Sequence, residues 1–229
     1  MKEYIFILHS LFTYYSLKNI KKIKSKYYNN YLLIHQLTIF FCFLNLKSIS
    51  KKTVSLIYLF RLINLVSLMP NICRFNNGVL STPIFNRTVA AIGELLFVKI
   101  LDNRLFNIAI LAELFSYTAM FTKNCFYFLC ENSLWTFGIA LYSIINYKNK
   151  LTLMFTLPYL YYMINKNLPM YYHQWKIKKY GNPKSIINGF IDSFRQMDKL
   201  ELGPKWNECL EWSILNFIFL PIFLVLNDG

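Results

Sequence analysis

The chain has 229 residues, of which 55% are hydrophobic, 18% aromatic and only 16% charged. Soluble domains carry about 25% charged residues, so the deficit argues against a soluble globular enzyme and for an all-α, polytopic membrane helix bundle. The formal net charge of +14 does not point to nucleic acid, because Lys and Arg fall between apolar stretches, where membrane topology and anionic lipid headgroups account for them.

The first apolar stretch, residues 4–17, is shorter than the roughly 17 residues a span needs. It has no basic leader longer than Lys2 and no small-residue cleavage site, which speaks against a cleaved signal peptide. Lys18, Lys21, Lys22, Lys24 and Lys26 follow it. Residues 1–30 therefore read as an N-terminal membrane anchor helix with a basic cluster, and an extra span is the alternative.

Seven apolar stretches come next, at 31–46, 54–69, 85–101, 105–122, 125–147, 151–164 and 209–226. They make residues 31–229 one transmembrane bundle of about seven spans. The first and sixth are short, so tilt or bilayer thinning covers the mismatch. Pro70 and Pro83 bracket a loop whose Asn76-Asn77-Gly78 is turn chemistry. The remaining early connections are a few residues long, which makes neighbouring helices antiparallel. Residues 165–208 form the one sizeable polar segment and read as a loop. Basic residues are in excess on the side holding Lys18–Lys26 and that segment. The positive-inside rule places both in the cytoplasm and the C-terminus on the opposite side. The five cysteines form no C-x-x-C pair and read as reduced core thiols.

Within the polar segment, "SIINGFIDSFRQMDKL" puts Ile186, Ile187, Phe190, Ile191, Phe194 and Met197 on one helical face. An amphipathic helix lying in the membrane interface fits this pattern, flanked by Trp175, Trp206 and Trp212. A helix packed on the cytoplasmic ends of the bundle fits it as well.

Three acids interrupt consecutive apolar stretches: Glu94, Glu113 and Glu131. Glu94 lies nine residues before the turn at Asn103 and Glu113 ten after it, so both sit about 14 Å below that turn at 1.5 Å per residue. Counting from the turn at Lys123 and Asn124 brings Glu131 to within about one helical turn of the same depth. Three carboxylates in one layer cannot all stay charged without a cation, since like charges disfavour one another's ionisation. Arg87, seven residues before Glu94 on the same face, and Arg61, in mid-stretch, are the basic partners. Asn64, Ser116, Tyr117, Thr122 and Asn124 add hydrogen-bonding groups.

His9, His35 and His173 stand alone, without H-x-x-x-H or E-x-x-H spacing, so a metal is left open and none is specified. Phosphate-loop, dinucleotide, nucleophile-elbow and zincin signatures are absent, and no cofactor is indicated. Three readings remain. The polar residues hold the helices together, or they form a catalytic site for a lipid-soluble or interfacial substrate with residues 169–175 at its mouth. Alternatively, they couple protons or cations to transport. Neither an inverted repeat nor a pair of Gly/Pro-broken spans is visible, which weighs against a carrier.

Taken together, "NRTVAAIGELLFVKIL", "ILAELFSYTAMFTKN", "ENSLWTF", "LPMYYHQW" and "WNECLEWSILNFIF" resemble a family of uncharacterised multi-pass membrane proteins of bacteria and algae. The matching positions are Arg87, Ala90 and Glu94; Ala112, Glu113 and Ser116; Asn124, Glu131 and Trp135; Pro169, Met170, Tyr171 and Trp175; and Trp206 with Glu208 or Glu211 ahead of Trp212. The resemblance covers the chain from about Arg87 onward and implies that these polar residues belong to one site; His173 is a candidate only by its place in "NLPMYYHQW" at the expected exit of the sixth stretch. It implies no activity. One departure stands out: the pattern has two successive acids where this chain has Glu131-Asn132.

Overall fold

The computed structural model describes residues 4, 6–11, 14, 26–63, 82–177, 185–194 and 214–228, the side chains of 26–32 and 61–63 excepted, and among these every regular element is helical. α1 (Lys26–Asn45) and α2 (Ile49–Ile63) form a hairpin, and α2 lies along α3 (Pro83–Leu101). The α2–α3 approach is close at Gly93, where a methyl group would come within 2.7 Å of the Ile57 side chain. The helical residues 6–11 rest on α1, with the His9 ring stacked on Phe43 at 4.0 Å.

α4 (Phe106–Thr122) and α5 (Cys125–Ile145) are the most closely packed pair. Ala109, Ala112, Ser116 and Ala119 on α4 are all buried. Their spacing puts small side chains along one face, which lets two backbones come near one another. Each turn that sets the register is only a few residues long. Between α3 and α4, the Asp102 side chain accepts from the Arg104 amide at 2.9 Å and starts a single 3-10 turn, Asn103–Leu105. Lys123 ends α4 in the left-handed conformation (φ 58°), its N–H bonding back to the Ala119 carbonyl at 2.9 Å. Asn124 then caps α5, its side chain accepting from the Phe126 amide at 3.0 Å. A left-handed C-terminal residue followed at once by an N-cap reverses the chain in two residues.

The sixth helix departs from expectation. α6 (Lys150–Tyr162) does not stop near Ile164 but runs through a π-helical turn (Met163–Asn167) into α7 (Leu168–Lys176). The helix is therefore longer than the apolar stretch 151–164, and residues 165–176 are helix rather than the beginning of a loop. Hydropathy misses this because Asn165 and Lys166 point outward while Asn167 turns inward and is buried. The last helix repeats the device: a π-helical turn (Leu215–Phe219) leads into α9 (Leu220–Leu226). Each π-helical turn ends two residues before a proline, Pro169 and Pro221. Proline cannot donate to the preceding turn and crowds its carbonyls, so the backbone widens there. Two helices thus carry a π-helical turn ahead of a proline without interruption of the helix, and the two meet where Met163 and Leu215 pack together beside Trp135.

The short α8 (Ile186–Ser193) packs across the end of α4. The far end of the chain closes on the α1–α2 turn: the Asp228 carboxylate accepts from the Lys47 amide and, at 3.1 Å, from the Ser48 amide, and pairs with Lys51 at 3.1 Å.

Among the described residues, two helical segments are long and apolar enough to cross a membrane, Asn103–Thr122 and Cys125–Ile145. Large apolar side chains such as Leu114, Phe137, Ile144, Leu157 and Tyr161 face outward, whereas Gln36, Ser55, Glu113, Ser116, Glu131, Thr152 and Asn167 are buried. The described part of the seventh stretch begins at Ile214, so Trp206, Glu208, Cys209, Glu211 and Trp212 lie outside the described residues, as do Met197 and most of the loop between Pro70 and Pro83.

Candidate functional site

Arg87 sits one turn into α3, and Glu94 lies two turns further along the same face. The Arg87 side chain extends along its own helix until Nη2 is 3.2 Å from Glu94 Oε2. From α4, Glu113 Oε2 reaches the same nitrogen at 2.5 Å, and from α5 Glu131 Oε1 lies 3.3 Å away. One guanidinium thus holds three carboxylates contributed by three successive helices. The two-residue turn at Lys123–Asn124 and the short turn at Asp102 fix the depths that make this meeting possible.

The centre is closed on one side and open on the other. The side chains of Glu113 and Glu131 are 6% and 9% exposed, whereas those of Arg87 and Glu94 retain 14% and 16%. Glu113 Oε1, Arg87 Nε and Ser116 Oγ are buried without a hydrogen-bond partner among the described residues. Buried polar atoms nearly always find partners, and a proton on the carboxyl is the smallest group able to give Glu113 Oε1 one, whereas Arg87 Nε–H is a donor and calls for an acceptor. If all were ionised, three carboxylates against one guanidinium would leave two negative charges in excess. A dry interior tolerates such an excess only with bound protons or cations. The adjoining polar layer is neutral: the Tyr117 hydroxyl donates to Thr88 Oγ1 at 2.9 Å.

The other sequence-predicted residues are placed as follows. Asn124 is engaged in capping α5 and does not join the centre. Arg61 lies on α2, its side chain outside the described residues. Tyr171 is buried on α7 and stacks on Phe128, one turn from Glu131, at 5.5 Å. Trp175 is half-exposed and packs on Phe126 at 5.3 Å, while His173 is exposed on another face of α7. The P-M-Y-x-x-x-W stretch therefore lines the α5 side of the bundle next to the centre, and His173 is not brought to the acids. Among the described residues, no three His, Cys, Asp or Glu side chains are placed to hold a metal ion. The carboxylates converge on nitrogen instead.

Sequence reasoning missed the amide pair next to the centre. Asn132, the neighbour of Glu131, accepts at its Oδ1 from Asn167 Nδ2 at 2.6 Å. At the position where the resembled pattern carries a second acid, this chain has a neutral amide tied to the π-helical turn. The signal was available in principle, since Asn167 precedes "LPMYYHQW", but its inward direction depends on the widened turn.

No family model, curated protein or solved structure matches the chain.

Proposed function

We propose that the chain is a multi-pass integral membrane protein of about seven spans. Its work is done at the Arg87–Glu94–Glu113–Glu131 centre, which exchanges protons with a lipid-soluble or interfacial substrate. The observation that carries the reading is the single guanidinium within 3.3 Å of three carboxylates, partly open at Arg87 and Glu94. Such a centre holds a carboxylic acid beside a carboxylate, the pairing that general acid–base chemistry uses. The membrane setting is supported by the many large apolar side chains that face outward while a layer of polar ones is buried among the apolar core. Only 44% and 28% of the two long apolar segments is buried inside the protein, whereas a core helix of a soluble protein is mostly buried. The excess of basic residues around 18–26 and 165–208 favours a cytoplasmic location for both.

Infrared difference spectroscopy of the purified protein, combined with mass analysis of co-purifying lipids, tests this. Expected are carboxylic-acid C=O bands that disappear one by one in Glu94→Gln, Glu113→Gln and Glu131→Gln and that shift when bound lipid is removed. Bands unaffected by these substitutions, with no lipid retained, would refute the proposal.

A second reading, a proton-coupled carrier, draws on the paired π-helical turns at Met163–Asn167 and Leu215–Phe219. Interrupted helices in pairs are where transporters build their binding sites. Proton flux across vesicles that depends on a solute and is abolished by Glu113→Gln would favour it over the first reading.

A further inference from the structure

α8 divides into three sectors. At about 100° per residue, Ile186, Phe190, Phe194, Ile187 and Ile191 span one arc of about 140°, and all five are exposed, Ile187 to 72%. Asn188 and Asp192 lie roughly opposite. Gly189 and Ser193, both buried, form a third narrow sector at about right angles to the other two. This third sector meets the bundle. Gly189 touches the Phe121 backbone so closely that a Cβ there would stand 1.6 Å from the Phe121 carbonyl oxygen. Phe190 adds an edge contact to the Phe121 ring at 5.4 Å.

A helix packed on a soluble core turns its apolar arc toward that core. This one docks through its smallest residues and turns its apolar arc aside. The contact point, Phe121, lies two residues before the turn at Lys123, so α8 sits at the level where α4 ends. With the bundle to one side, apolar residues facing one way and polar residues the other, the arrangement fits a helix at a bilayer surface. The flanking charge is cationic: Lys178, Lys179 and Lys184 precede α8 in the sequence, and Arg195 and Lys199 follow it. We infer that α8 binds the headgroup–acyl boundary of an anionic phospholipid leaflet through its Ile/Phe arc, using the bundle only as a lateral anchor. The inference rests on the membrane reading above but not on the chemistry assigned to the acids.

Spin labels at Ile187→Cys and Asn188→Cys, in a chain whose native cysteines are replaced, test it in phosphatidylcholine vesicles with and without phosphatidylglycerol. The label at 187 should collide several-fold more with oxygen than with a water-soluble nickel chelate, and the label at 188 should do the reverse. The contrast should grow with phosphatidylglycerol. Chelate access at both positions, or access by neither reagent as under a second copy of the chain, would overturn the inference. A contrast that ignores phosphatidylglycerol would overturn its anionic part. Failure of the protein to enter vesicles at all would instead sink the membrane reading.

Discussion

Arg87 and Glu113 form the shortest link in the buried centre, 2.5 Å from guanidinium nitrogen to carboxylate oxygen across the α3–α4 interface. Glu94 and Glu131 approach the same nitrogen from 3.2 and 3.3 Å. The bonds are therefore not equivalent, and removing each partner has a different effect.

Arg87→Leu leaves three carboxylates clustered with no cation, and breaking a buried pair this way costs about 3–5 kcal/mol. Unfolding in detergent should register that loss. Arg87→Lys should recover only part of it, because an ammonium is a point charge without the planar fork that reaches several acceptors. Equal stability of Arg87→Leu and the parent chain would show that the cluster is not held by charge.

Glu94→Leu is milder than the isolated i,i+7 pair suggests, since Arg87 keeps Glu113 and Glu131. Its expected cost is about 1–3 kcal/mol, in the range of one lost charged hydrogen bond. Glu94→Gln should fold nearly as the parent does. Glu113→Leu should be the most damaging of the three Glu→Leu changes. Denaturation midpoints of the three Leu variants give the ranking, and Glu94→Leu coming out worst would contradict this geometry.

Two glycines differ in what they tolerate. A methyl group at 93 meets Ile57 Cγ2 at 2.7 Å, on a branched side chain that is stiff in a helix, whereas at 189 it meets backbone carbonyl at 1.6 Å. Gly93→Ala should therefore push α2 and α3 slightly apart, and Gly189→Ala should lift α8 from α4. Hydrogen exchange at 186–193 should rise in Gly189→Ala and stay unchanged in Gly93→Ala.

Burial works against charge on Asp228, but the Lys47 and Ser48 amides and the Lys51 ammonium outweigh it and hold the carboxyl below its usual range. A carboxylate lowered on folding contributes stability above its unfolded value, about 3.9, and loses it as the pH falls through the folded value. The clasp between the chain's end and the α1–α2 turn should thus weaken below about pH 4. In Asp228→Asn the clasp should be weak at neutral pH and show no such acid transition. Proteolysis at the C-terminus across pH measures both.

The layer of acids was legible because its depth follows from turn lengths, and two-residue turns leave little freedom in register. The Arg87–Glu94 pairing was legible from the seven-residue spacing. Two things hid the rest. A hydropathy window averages Asn165, Lys166 and Asn167 into one polar run, although two face out and one faces in. Proline reads as a stop, yet Pro169 and Pro221 only widen the turn before them. The meeting of Asn132 with Asn167 follows from that widening together with the bond from Asn132 Nδ2 to the Phe128 carbonyl at 2.7 Å, and hydropathy registers neither.

The π-helical turn at Met163–Asn167 also sets how this helix responds to a change in length. Removing one residue from an α-helix rotates everything beyond it by about 100°, which would ordinarily swing Tyr171 and Gln174 out of the bundle. A π-helical turn already accommodates one residue more than the α-helical phase requires. Deleting exposed Lys166 should let the backbone close into an uninterrupted α-helix with Tyr171 still against Phe128. The same deletion at Leu157 comes before the turn, so closing the turn would keep α7 in phase but leave residues 158–162 rotated by about 100° against their neighbours. Met163–Asn167 thus has the character of a single-residue insertion that the fold has kept, with the hydrogen bond from Asn167 Nδ2 to Asn132 Oδ1 fastening it in place.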